Sequence, residues 1–163
     1  MEPGTMKLRR LAAIVSLSVL AACAGSDTVS SRLPPGFVAD AAEIVAGADW
    51  SAPEEVRVTI GDRAFKPSEW TFRRDRATRL VLVNATDSDH GLAARQFFAD
   101  IAVESVRGGG QVLKGPWIES LSIPAGQTKE LWFVPARFGS YAFECSAVGH
   151  PTLGERGVID VVR

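Results

Sequence analysis

The stretch Tyr141-Ala-Phe-Glu-Cys-Ser-Ala-Val-Gly-His150, followed by Gly157-Val-Ile-Asp-Val161, decides how this chain is read. Tyr141-Ala-Phe-Glu144 reads as a strand, Cys145 follows it directly, and His150 stands ahead of a last strand over 157–162. Upstream, Val56-Arg-Val-Thr-Ile60 alternates apolar and polar residues at the period of a strand with one buried face. Trp70-Thr-Phe72, 78–84, 117–123 and 128–134 read as further strands, and Gly61-Asp62, Pro124-Ala-Gly126 and Pro135 punctuate them. About seven short strands separated by turn signals predict an all-β sandwich. Residues 91–116 are the least regular part, with a helical turn expected between Ala93 and Val103 and a flexible loop at Gly108-Gly-Gly110.

The amino terminus reads as an address. Lys7, Arg9 and Arg10 precede the apolar run Leu11–Leu20, which is too short for a good membrane span. The run ends in Leu20-Ala21-Ala22-Cys23, which resembles the bacterial lipobox and implies cleavage before Cys23 and lipidation of its thiol. The expected organisation is a lipoprotein signal peptide over 1–22, the lipidated Cys23 with a flexible linker over 23–55, and one folded domain over 56–163. A short helix over 38–46 is the exception within the linker. The expected location is the periplasmic side of the cell envelope, anchored to a membrane.

Composition narrows the function classes. The 163 residues carry 18 Lys plus Arg against 19 Asp plus Glu, which argues against a nucleic-acid binder working by phosphate neutralisation. Two cysteines exclude a disulfide-rich scaffold and a four-cysteine zinc or iron–sulfur site within one chain. With Cys23 lipidated, Cys145 is the remaining thiol, in an oxidising compartment where such a thiol is buried, reactive or metal-bound.

Both histidines fall with Cys145 at strand ends. His90 follows the strand ending at Asn84, and the loops at one end of a sandwich converge in space. One thiolate and two imidazoles suit copper or zinc, and with a weak axial ligand they form the blue-copper arrangement. The aromatic residues Trp70, Trp117, Trp132 and Phe133 are expected to fill the core, while Phe97-Phe98 either covers the site or packs a loop. Arg73-Arg74-Asp75-Arg76 reads as a solvated turn.

The residues Val81-Leu-Val-Asn84, His90-Gly-Leu92, Ile123-Pro-Ala-Gly126 and the stretch quoted at the outset resemble the cupredoxin family over roughly residues 55–163. The resemblance implies a cupredoxin-like Greek-key β-sandwich that binds one mononuclear copper ion through His90, Cys145 and His150. The sequence departs from the family at the axial position. Five residues after His150 the family usually carries Met, whereas this chain has Glu155, and Met1 and Met6 are its only methionines. A carboxylate is harder than a thioether, favours Cu(II), and also suits zinc. A second departure is Gly91, which offers only its backbone N–H toward Cys145, leaving Ser146 as a candidate to complete the surroundings.

The leading expectation is a membrane-tethered carrier of single electrons with a redox partner protein, not an enzyme. The alternative is copper homeostasis, with a copper donor or acceptor as partner, or small-molecule redox chemistry of the kind that red copper proteins with a Glu ligand suggest. A thiol enzyme using Cys145 and His150 lacks a recognisable third group to orient the base. A metal-free sandwich is the remaining possibility.

Overall fold

A computed structural model describes residues 28–29, 33–115, 117–147 and 155–163. The signal segment, Cys23 and His150 lie outside the described residues. Twelve strands and two short helices follow along the described chain. They are β1 (Thr28–Val29), α1 (Ala41–Gly47), β2 (Glu54–Gly61), β3 (Ala64–Lys66), β4 (Glu69–Arg73), β5 (Thr78–Asn84) and β6 (His90–Leu92). Then come α2 (Arg95–Ala99), β7 (Ile101–Gly108), β8 (Gln111–Leu113), β9 (Ile118–Ile123), β10 (Thr128–Pro135), β11 (Gly139–Glu144) and β12 (Arg156–Val162).

One layer is a six-stranded sheet in the order β3-β2-β5-β10-β7-β8. The other consists of two three-stranded sheets, β1-β9-β6 and β11-β12-β4, joined where Ala93 bridges Glu144. Strand pairs are antiparallel except β2 with β5 and β12 with β4. The side chains that alternation turns inward from both layers form one core. Val58, Ile60, Leu80, Leu82, Leu131 and Phe133 come from the first layer; Trp70, Phe72, Leu121, Phe143, Ile159 and Val161 come from the second. Aromatic contacts lock the layers together: Trp70 stacks on Phe143 with centroids 4.0 Å apart, and Phe72 meets Phe133 edge-on at 5.1 Å.

Several expectations change in the folded chain. The segment expected as a linker packs against the sandwich from Phe37 onward. Its α1 covers the outer face of β7 and β10 through Val38, Ala41, Ala102 and Val134, because the side chains of Ala102 and Val134 emerge on the side away from the main core. Even β1 is paired, with Thr28 opposite Ser120 and Val29 opposite Ile118. The irregular region contains the expected helical turn as α2, but also the long strand β7, which pairs with β10 from Ile101 to Arg107. Its signal is weak in the sequence because a register shift opposite Trp132/Phe133 interrupts the alternation. Gly108, Gly109 and Gly110 form the β7–β8 turn rather than a flexible loop, all with positive φ.

Trp70, Trp117 and Phe133 are core residues, as are Phe97 and Phe98 in α2. Trp132 is not. Leu131 and Phe133 face inward, so Trp132 faces out, between the guanidiniums of Arg107 at 4.0 Å and Arg79 at 5.4 Å from the ring centroid. Its indole N–H donates to Glu130 at 2.9 Å, and Arg79 pairs with the same carboxylate.

Candidate metal centre

Strand order brings three distant residues to one point. β11 and β12 pair with Glu144 opposite Arg156. One step further along that ladder, the Cys145 N–H donates to the Glu155 carbonyl at 2.8 Å. Ala93 and Glu144 exchange both backbone hydrogen bonds, at 2.8 and 3.0 Å, which fastens the end of β6 to β11. His90, the first residue of β6, therefore lies beside Cys145, which follows β11, and Glu155, which precedes β12. Alternation decides direction. Cys145 shares the inward face of Tyr141 and Phe143, and Glu155 shares that of Ile159 and Val161. Arg156 takes the outward position and is exposed.

The three side chains are buried, His90 at 4% exposure and Cys145 and Glu155 at 0%. Their donor atoms all lie within 4.8 Å of one another. His90 Nδ1 is 2.9 Å from Glu155 Oε2 and 3.8 Å from Cys145 Sγ. The sulfur accepts backbone N–H groups from Gly91 at 3.4 Å and Ala147 at 3.5 Å. On the far side of the imidazole, Nε2 lies 3.1 Å from Thr86 Oγ1. A cleft of about 220 Å³, lined in part by Asp89, His90, Ser122 and Ser146, opens beside the group.

Gly91 has a steric reason. A Cβ there would sit 1.9 Å from Ser146 Oγ and 3.1 Å from the Leu121 carbonyl. Ser146 occupies the volume a side chain at position 91 would need, so Gly91 contributes only its N–H to the sulfur.

Burial pushes the Cys145 thiol above its usual range, the N–H groups of Ala147 and Gly91 oppose that rise, and Glu155 adds to it. The same donor set fits a metal ion. One soft sulfur, one imidazole nitrogen and one carboxylate oxygen face each other. Bonds of about 2.0–2.1 Å to nitrogen and about 2.3 Å to sulfur can both reach one ion, because the two atoms are only 3.8 Å apart.

Of the residues expected from sequence, His90, Cys145 and Glu155 come together, while His150 and Cys23 lie outside the described residues. The sequence reading assigned no role to Thr86 or Ala147. Thr86 had one available signal, a hydroxyl four residues before His90 in the same loop.

No family model and no curated protein sequence matches the chain. Solved structures do. The 2F4 variant of a multicopper oxidase from the hyperthermophile Aquifex aeolicus superposes with a TM-score of 0.58 at 12% identity, over 71% of this chain and 30% of the oxidase. A multicopper oxidase from Pediococcus acidilactici gives 0.53 at 12% identity, over 71% of this chain and 27% of the other. This chain thus spans less than a third of either oxidase. Reduced auracyanin from the photosynthetic bacterium Roseiflexus castenholzii gives 0.49 at 15% identity, over 69% of this chain and all of that one, 100%. The described chain has a cupredoxin-like β-sandwich fold.

Proposed function

We propose that this protein binds one mononuclear copper ion and carries single electrons to or from a partner protein, without being an enzyme. The observation that carries the reading is the buried convergence of His90 Nδ1, Cys145 Sγ and Glu155 Oε2 at one end of the sandwich. His90, Cys145 and Glu155 would hold the ion, with His150, five residues after the cysteine in the sequence, as a further donor. Copper bound there supplies a one-electron couple. The protein supplies a rigid frame: two ligand-bearing loops tied by the β6–β11–β12 hydrogen bonds, and two N–H groups that stabilise negative charge on sulfur. The lipobox-like Leu20–Cys23 supports a lipid anchor on the periplasmic side of the envelope.

The buried carboxylate favours a second reading beside the first. Glu155 is a hard, anionic donor and stabilises Cu(II) over Cu(I), which suits copper sequestration or delivery, or a red-copper-like site for a small molecule. Partner electron exchange favours the carrier; copper transfer to a chelator without redox cycling favours the alternative.

The test is a Cu(II) titration of residues 24–163, followed by visible and EPR spectra, beside Glu155→Met. An intense thiolate-to-copper band that shifts in Glu155→Met supports both the site and the carboxylate ligand. A band indifferent to the substitution keeps the copper and removes Glu155 from it. Absence of a thiolate band overturns the reading.

A further inference from the structure

We propose that the lipid anchor on Cys23 leaves the fold at the same end as the metal centre, so that this end faces the membrane and serves a protein embedded in that membrane rather than a soluble one. The proposal rests on the lipid-anchor reading of Cys23 and deepens it by naming where the partner sits.

Two registers give the direction of the chain. β1 lies antiparallel on the edge of β9, with Thr28 opposite Ser120 and Val29 opposite Ile118. A step back from Val29 to Thr28, and so toward Cys23, is a step along β9 from Ile118 toward Ile123. On the other side of β9, Ile123 stands opposite His90. The metal end is tied off at the same place. The Asn84 amide donates to the Ile123 carbonyl at 2.9 Å, and the Ala125 N–H donates to the Asp89 carboxylate at 2.9 Å. Ser120, the partner of Thr28, also lines the cleft beside His90. The chain thus heads for the metal end where it leaves β1.

The connection to the anchor is short. β1 is held by β9, and the segment after it is held by the body: the Val38 N–H donates to the Ala99 carbonyl at 3.2 Å, and Arg137 donates to the Gly36 carbonyl. Only Ala24 to Asp27 stand between Cys23 and β1, in place of the linker over 23–55 expected from the sequence. Fully extended, the steps from Cys23 to Thr28 span at most about 18 Å. Drawing level with Ile123 from the position of Ser120 uses about 10 Å of that. About 8 Å is left between the level of His90 and the residue that carries the lipid. A folded protein of about 100 residues has a radius of gyration of about 13 Å and does not fit that gap. A partner that reaches the metal end therefore lies in the membrane itself. Asp87 and Asp89 are exposed on that end, and their carboxylates complement a basic protein surface rather than anionic headgroups.

The experiment uses the full chain, processed and purified from bacterial membranes and placed in phosphatidylcholine vesicles. Ala85→Cys, exposed in the β5–β6 loop, marks the metal end. Arg76→Cys, exposed before β5, marks the far end, about 20 Å away along the strand. Cys145 is 0% exposed, so the introduced thiol is the one that takes a short-armed biotin. The expected result is that streptavidin binds the Arg76→Cys biotin on vesicles and is excluded from the Ala85→Cys biotin. Both biotins should bind in detergent. An insertion of roughly 20 Gly and Ser residues after Gly25, with a random-coil span of about 25 Å, should restore binding at Ala85→Cys on vesicles. In vesicles that also hold a transmembrane leucine helix with lysine ends, carbodiimide should join its lysines to Asp87 or Asp89 rather than to Glu54 or Asp75 at the far end. Streptavidin binding at Ala85→Cys on vesicles without the insertion overturns the proposal and leaves the anchor standing. Exclusion that persists in detergent or with the insertion, or cross-links confined to Glu54 and Asp75, also overturns it. A processed chain that does not float with vesicles overturns the anchor reading, and the proposal with it.

Discussion

Gly157→Ala is expected to be among the most damaging single-methyl additions in this protein. Gly157 lies opposite Phe143 in the β11–β12 ladder, two residues from Glu155 on the same inward face. A Cβ there would fall 2.0 Å from the Ser68 carbonyl oxygen and 2.5 and 2.7 Å from the Phe143 ring. The ring has nowhere to retreat, because it stacks on Trp70 at 4.0 Å and meets Phe65 at 5.1 Å. The carbonyl cannot move cheaply either, since it accepts the Val158 N–H at 3.0 Å. Overpacking a filled core costs about 1–3 kcal/mol, and losing one backbone hydrogen bond about 1 kcal/mol more. A total of about 3 kcal/mol at roughly 2–4 °C per kcal/mol lowers the midpoint by about 10 °C. The assay is thermal unfolding of the metal-free protein followed by near-ultraviolet dichroism, which reads the Trp70–Phe143 packing. A double variant with Phe143→Leu should recover only part of the loss, because the Ser68 carbonyl remains. An unfolding midpoint in Gly157→Ala equal to the parent's refutes the reasoning.

Gly91→Ala should cost less, about 1–2 kcal/mol, because the nearest atom is the rotatable Ser146 hydroxyl. Pairing it with Ser146→Gly should give a coupling of about 0.5–1 kcal/mol in a urea double-mutant cycle; strictly additive costs would remove Ser146 from the role. Stability should also decline at both pH extremes. Arg79, followed by the Trp132 N–H, holds the Glu130 carboxyl below its usual range against the effect of burial. Its contribution is complete above the unfolded value of about 4.3 and is lost as pH falls through the folded one. Burial, then the neighbouring Asp100 carboxylate, pushes the Tyr141 phenol up. The unfolded chain ionises first, so stability falls as pH rises beyond about 10. Urea midpoints against pH should show a shallower acid-side slope in Glu130→Gln, with the Glu104 and Asp49 carboxyls still contributing, and a shallower alkaline slope in Tyr141→Phe; slopes that persist unchanged count against both assignments.

Much of the architecture is legible in the chain because strands with one buried face repeat at period two. Val58 and Ile60, Leu80 and Leu82, Leu131 and Phe133, and Ile159 and Val161 all face inward as that period requires. The same period, extended backward from Ile159, already points Glu155 inward, and extended forward from Leu131 it points Trp132 outward. Where the alternation breaks, so does the reading. β7 carries a register shift, and β6 is only three residues long, too short to show a pattern. The packing of the segment from Phe37 onward was hidden for another reason: a helix of seven residues declares no partner until the outer face of β7 and β10 exists to receive it.

The available chemistry can be read along the chain: an imidazole, a thiol and a carboxylate at strand ends, no methionine near them, and a β-sandwich to carry them. These are matters of residue type and local period, and they need no partner strand. Tertiary structure decided which of these groups meet. The neighbours β6, β11 and β12 come from positions 90, 144 and 156, and only the closure of the second layer sets Glu155 Oε2 at 2.9 Å from His90 Nδ1. It also turned Thr86 onto the far nitrogen of the ring, because the loop that carries it is strapped by an asparagine from the opposite layer. Distance between such groups is a product of strand order and register, and both arise from pairing between segments far apart in the chain.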